Sequence, residues 1–253
     1  MELLSRAARL VNRVHKVIVM VDLGDLREGI WPDRVASVIR DSAQLRGIEI
    51  VGLGANLACF GGVIPTTENM QRLVDIRDAC RKATGLPLDL ISGGNSSTLP
   101  LLVSGGLPEE INHLRIGEAI TLGRNVIDRS EWPGTRQDTV RVVAEVIEVE
   151  RKPSVPIGLR GQDAFGEEAE IVDRGIRLRA ICNVGRQDVV VDGITPEDQG
   201  IIVLGGSSDH LVLDVEEAEH AVRVGDEIGF FPTYGSLLAA TTSPYMQKVV
   251  MRG

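Results

Sequence analysis

Residues 15–29 read HKVIVMVDLGDLREG. The apolar run Val17-Ile18-Val19-Met20-Val21 stops at Asp22, and a polar loop bearing Gly24, Asp25, Arg27 and Glu28 follows. A continuous run of branched apolar residues is the pattern of a strand covered on both faces, as in a parallel sheet. This segment decides the fold because the pattern recurs. Helical spacing at 32–45 leads to a second apolar run at 48–53 and a loop at 54–65. A long amphipathic stretch at 67–84 leads to a third run at 87–91, the loop 92–97, a short helix at 98–103, a fourth run at 111–116 and a turn at 117–123. Four strands alternating with helices predict a parallel α/β sheet. Its polar loops fall after the C-terminal ends of the strands, where such sheets place their sites.

Upstream, Leu3, Leu4, Ala7, Leu10, Val11 and Val14 fall on one helical face, an amphipathic pattern. No good cap precedes them, so the chain opens on the body of a helix. Downstream of 128 the pattern changes to short β-type runs at 140–149, 177–184, 200–204, 210–215 and 227–231, punctuated by Gly and Pro. That predicts a separate, mostly antiparallel β domain. Ser130-Glu131-Trp132-Pro133-Gly134 marks the boundary, giving domains of residues 1–130 and 131–253.

The 253 residues are enough for a substantial core, and aromatics at 3% leave that core to Val, Ile, Leu and Ala. The net charge of −9 argues against nucleic acid, which needs clustered positive charge. Three cysteines without CxxC spacing fit a reducing compartment. No apolar run approaches the roughly 20 residues that span a bilayer. The expected location is cytoplasmic, with no membrane partner. His15, His113, His210 and His220 lack metal-ligand spacing, so no metal is expected. Cys59 lies in a glycine-rich loop and has the chemistry of a nucleophile, but scattered cysteines are more often small buried hydrophobes.

Two segments carry distinctive chemistry. SGGNSS (92–97) offers backbone N–H groups and short hydroxyls suited to a phosphate, and Arg115-Ile116-Gly117 places a guanidinium nearby in sequence. With HKVIVMVDLGDLREG (15–29), GANLACFGG (54–62), NHLRIGEA (112–119), GRQDV (185–189), GGSSDHLVLD (205–214) and SPY (243–245), they occur in an order that resembles the alanine/ornithine racemase family of pyridoxal-phosphate (PLP) enzymes, ornithine racemase most of all. The resemblance covers essentially the whole chain.

What the resemblance implies is a PLP-dependent amino-acid racemase that interconverts L- and D-amino acids, ornithine or a similar one, by α-proton exchange. The implied fold is a (β/α)8 TIM-type barrel followed by the β domain, acting as a homodimer whose active site is shared between subunits. A complete barrel takes ~250 residues, so residues 1–130 match only its C-terminal half, the last four strands. The first strand carries the family's Schiff-base lysine, and Lys16, Lys82, Lys152 and Lys248 stand in no such setting. The expectation is therefore a racemase lacking the N-terminal part of its barrel. The alternative is a non-catalytic PLP-binding or partner-complementing chain.

Residue by residue, Arg115 matches the arginine facing the pyridine nitrogen. Asn95, Ser96, Gly117 and Tyr245 match phosphate-holding positions, and Asn56 stands where classical alanine racemases carry a histidine against the ring. Arg27 matches an arginine near the substrate carboxylate, and Met20 takes the place of the modified lysine that supports it. Arg186 occupies the position of the partner-subunit tyrosine that serves as the second base. Arginine is a poor base because it stays protonated. That leaves Asp188, Asp209 and His210 as candidates, with Ser208 beside the substrate. Histidine as a residue type has an intrinsic pKa suited to proton transfer at neutral pH.

Overall fold

The computed structural model describes residues 1–162, 164–166 and 171–251. The chain divides into two compact units, Met1–Thr135 and Arg136–Gly253. The division falls five residues beyond the boundary expected at 130.

In the first unit, β1 (His15–Met20), β2 (Ile48–Gly54) and β3 (Leu90–Ser92) form a parallel sheet in the order β1-β2-β3. Helix α1 (Glu2–Leu10) precedes the sheet, and α2 (Val35–Ser42) follows β1 after a 3-10 turn at Pro32–Arg34. Helix α3 (Thr67–Thr84) follows β2, and the short α4 (Leu99–Val103) and α5 (Glu118–Thr121) follow β3. Val19, Leu53 and Ile91 of the strands, with Val21 just past β1, pack with Ile39 of α2 and with Met70 and Leu73 of α3. The boundaries of α3 are set by side chains. Thr66 Oγ1 accepts from the Asn69 N–H at 3.2 Å, Asn69 Oδ1 accepts from the Thr66 N–H at 2.9 Å, and Gly85 closes the helix at φ 72°. This reciprocal cap satisfies two donors that a helix start otherwise leaves unpaired.

One expectation for this unit is corrected. The run at 111–116 forms no fourth strand; only a single parallel bridge joins Ser92 and His113. Asn112 Oδ1 takes the Ile91 N–H at 2.9 Å, where a ladder would use a main-chain carbonyl, and the Arg115 N–H bonds Gly94 O rather than Gly93 O. The pairing slips by one residue and ends. Helix α1 turns inward the face opposite its apolar stripe: Ser5 and Ala8 are buried, while Leu3, Leu10, Val11 and Val14 are exposed. Ser5 Oγ donates to Arg46 O at 2.6 Å, and these small side chains let the helix approach Gly47 closely.

The second unit is a six-stranded antiparallel sheet in the order β6-β9-β4-β5-β8-β7. Its strands are β4 (Val142–Pro153), β5 (Ile176–Cys182), β6 (Ile194–Pro196), β7 (Ile202–Gly206), β8 (Leu211–Asp214) and β9 (Glu227–Pro232). Val142, Ala144 and Val146 point into the core with Ala180, Leu211, Leu213 and Phe230, while Val143 and Ile147 face out, the period-two signature of a strand with one covered face. The short β6 and the helix α6 (Tyr234–Thr242) went unread in the sequence, β6 because three residues carry no period and α6 because its small residues form no stripe.

Candidate active site

The C-terminal ends of β2 and β3 converge on Arg115. Its Nη1 donates to Ser92 Oγ at the end of β3, and its Nη2 donates to Ala55 O (3.0 Å) and Asn56 Oδ1 (3.1 Å), just past β2. Asn56 Oδ1 also accepts from Asn95 Nδ2 at 3.0 Å, and Asn95 Nδ2 donates to Leu57 O at 2.9 Å. Asn56 thus joins the arginine to the SGGNSS loop. Ser92 is fully buried, and His113 Nδ1 lies 2.9 Å from its Oγ. Because Arg115 donates to Ser92, the serine proton is available to His113.

Among the described residues, Arg115 Nε–H meets no protein acceptor and no carboxylate is hydrogen-bonded to the guanidinium. Burial lowers the Arg115 pKa, the charge of Glu28 opposes that shift, and Arg27 reinforces it. A guanidinium stays protonated under such shifts. The site therefore holds a fixed planar cation with a donor to spare.

Asn95 Oδ1 accepts from the Ser97 N–H at 2.7 Å and sets the bend of its loop. Ser96 Oγ accepts from the N–H groups of Gly117 (3.1 Å) and Ala119 (3.2 Å) at the start of α5, which leaves its own hydroxyl proton to donate. A Cβ on Gly117 would meet nothing within 4 Å, so its surroundings are open.

Arg27, in the loop after β1, is 45% exposed and forms an ion pair with Glu28. Its Nη1 also donates to Cys59 Sγ at 2.7 Å, on the loop after β2. Glu28 is held below the ordinary carboxylate range by Arg27. Cys59 is exposed, whereas burial pushes the Cys80 thiol up and that of Cys182 up to about 12.

In the second unit, Arg186 stacks over Phe165 at 4.2 Å from the ring centroid, and its Nε donates to Gly206 O at 3.0 Å. Its loop pairs with the next: the N–H groups of Arg186 and Gln187 donate to Ser207 O and Ser208 O. Ser208 Oγ donates to Asp209 Oδ1 at 3.0 Å, and His210 Nδ1 lies 3.1 Å from the same oxygen. The Ser208 hydroxyl and the neighbouring His210 hold the Asp209 pKa below its ordinary value. Asp188 is 2% exposed and accepts from Ser243 Oγ (2.7 Å) and the Gly185 N–H (3.3 Å). That makes it a tie between its loop and the chain after α6, with little access to a substrate. Tyr245 is 74% exposed, and its N–H donates to Ser243 Oγ.

The fold thus gathers Arg115, Asn56 and Asn95 into one network, sets Ser96 on Gly117 beside it, and in the second unit groups Arg186, Ser208, Asp209 and His210. Sequence reasoning missed Ser92 and His113 as members of the Arg115 network, although both lie inside the motifs that drew attention. A cavity of about 700 Å3, lined by Lys16, Glu49, Val51, Leu90 and His113 among others, opens at the opposite end of the strands. The chemistry, more than the cavity, marks the site.

Residues 1–125 match the family model for the alanine racemase N-terminal domain. A lysine racemase of Thermotoga maritima is 48% identical over 242 residues, covering 96% of this chain and 67% of that protein. The chain belongs to the alanine/ornithine racemase family. The curated relatives that match it are racemases by name. An ornithine racemase of Acetoanaerobium sticklandii is 43% identical over 249 residues, 98% of this chain and 70% of that protein.

Solved structures give the same fold, a TIM-type barrel followed by a β domain. An alanine racemase from Bartonella henselae with covalently bound pyridoxal phosphate matches with TM-score 0.59 and 18% identity, over 96% of this chain and 64% of that one. A D-threonine aldolase from Filomicrobium marinum matches with TM-score 0.61 and 17% identity, over 93% and 59%. The chain spans about three-fifths of the length of these structures. An aldolase sharing the fold shows that fold alone does not choose the reaction. Among the described residues no helix is long and apolar enough to cross a membrane.

Proposed function

We propose that this chain forms the cofactor and substrate site of a PLP-dependent racemase acting on a basic amino acid, lysine or ornithine, as a cytoplasmic homodimer. The Arg115 network carries the reading. The donor set fits PLP: a half-buried cation with a spare Nε–H suits an unprotonated ring nitrogen, and Ser96 has a hydroxyl proton to give a phosphate oxygen. When bound, the group withdraws negative charge from the substrate's α-carbon.

Arg115 would hold the ring nitrogen unprotonated, because a proton there would set a second cation beside a fixed, half-buried guanidinium. Charge would then be drawn less far from the α-carbon, which would favour return of the proton to that carbon over transamination. Asn56 and Asn95 hold the guanidinium in place. Arg27 receives the substrate carboxylate in place of Glu28, through paired hydrogen bonds. Ser208, Asp209 and His210 of a second copy supply the polar groups for the other face of the substrate, with His210 the base and Asp209 orienting it. Arg186 lies beside the substrate, and Tyr245 donates to the phosphate.

A second reading, a non-catalytic PLP-binding or partner-complementing chain, is favoured by one observation. Neither lysine of the first unit stands at the C-terminal ends of the strands: Lys16 is the second residue of β1 and Lys82 lies on α3. The two readings separate on one assay. The protein purified from its own source is incubated with PLP and either L-lysine or L-ornithine, and the products are resolved by chiral chromatography. The racemase reading predicts approach to equal L and D isomers. PLP binding without any D isomer from either substrate establishes the second.

A further inference from the structure

Asp25 is 1% exposed, yet it forms no ion pair within 4 Å among the described residues. Its carboxylate is satisfied by the main chain of another loop. Oδ2 accepts from the Phe60 N–H at 2.9 Å, and Oδ1 accepts from the N–H groups of Val63 (3.1 Å) and Cys59 (3.5 Å, at the limit of a hydrogen bond). Burial alone would raise the Asp25 pKa, but the donors from Val63, Phe60, Gly61 and Cys59 together bring it below the ordinary value. Removing a buried charge from its donors leaves several unpaired polar groups at once.

The two loops joined in this way carry opposite ends of one contact. Arg27 lies two residues beyond Asp25, and Cys59, whose sulfur accepts from Arg27, is among the residues whose amides Asp25 gathers. The approach is close. A Cβ on Gly61 would lie 2.7 Å from Asp25 O, so this position requires glycine. On the other side, Asp22 Oδ1 accepts from the N–H groups of Gly24 (2.8 Å) and Leu26 (3.2 Å), holding Leu26 at φ 56°. The Arg27 backbone is thus fixed from both directions, while its side chain is half exposed and exchangeable.

We propose that Asp25 is a positioning residue for substrate binding: its carboxylate locks the loop after β2 onto the loop after β1 and so sets where the Arg27 guanidinium meets the substrate carboxylate. The inference rests on the reading of Arg27 given above. Asp25 itself touches neither substrate nor cofactor.

The test uses Asp25→Asn in the full protein, with Gly61→Ala as a second variant that separates the same loops without removing a charge. Two readouts are taken. Hydrogen exchange at Phe60 and Val63, measured without substrate, is expected to speed at least tenfold in both variants. The KM for the amino acid is expected to rise roughly tenfold with kcat reduced much less and PLP affinity unchanged; combining either variant with Arg27→Lys is expected to give less than the product of the separate effects.

Protected amides in both variants, or a loss shared equally by KM, kcat and PLP affinity, or full additivity with Arg27→Lys, would overturn the proposal. An unaltered protein that racemises nothing overturns the racemase reading, while the exchange result still decides whether Asp25 locks the loops.

Discussion

A single carbon added at Gly185 would sit 2.4 Å from the Asp209 backbone nitrogen. No rotamer relieves a Cβ, so the loops bearing Arg186 and Asp209 would have to part. Gly185→Ala is expected to cost about 1–3 kcal/mol of stability, read by urea denaturation. Asp188→Ala, which strands the Ser243 hydroxyl and the Gly185 amide, is expected to cost a similar amount, about 1–3 kcal/mol. An unchanged midpoint in either variant contradicts the corresponding contact. At this scale the sequence was informative where residue type and chemistry coincide. Arg115, Asn95 and Ser96 stand out because a guanidinium, an amide and a hydroxyl cluster within motifs. Ser92 and His113 do not: a serine closing an apolar run resembles any other, and its importance comes from an arginine 23 residues away. Asp25 did not stand out, because nothing in its neighbours announces that the amides of residues 59–63 fold over it.

Among elements, strand and helix order was legible because apolar runs and helical spacing report burial directly. The fourth run failed as a strand because pairing depends on what lies opposite, and the Asn112 side chain intercepts the ladder. The buried face of α1 was not legible for a related reason: close approach favoured Ser5 and Ala8 over larger apolar residues. In the second unit β5 and β8 are tied by Arg177 and Asp214, with Arg177 Nε 2.9 Å from Asp214 Oδ2. Burial raises the Asp214 pKa, but Arg177 and the Glu216 amide outweigh it, so the folded carboxyl titrates below its unfolded value. Stability from such a depressed pKa is present above the unfolded pKa and is lost as pH falls through the folded one. Arg177→Met is expected to lower stability at neutral pH, read as an earlier urea midpoint. The gap from the unaltered protein should narrow as pH falls below about 4. A gap that is constant with pH contradicts this pairing.

For the molecule as a whole, the change of period near residue 128 lies close to the division into two units, and the net charge of −9 argues against nucleic acid. What the sequence could not supply was which side chains from distant loops meet. Among the described residues strand β1 pairs on one edge only, and Leu3, Leu10, Val11 and Val14 present an exposed apolar row beside it. Such an edge and surface favour association, so sedimentation equilibrium is expected to show a dimer or larger species; a monomer at micromolar concentration contradicts that expectation. The most direct test of the racemase assignment is α-carbon exchange in deuterium oxide, with PLP and L-lysine or L-ornithine and with chirality resolved. The account predicts D isomer carrying deuterium at the α-carbon, with little keto acid. Bound PLP with α-deuteration confined to the L isomer, or keto acid as the main product, would contradict it.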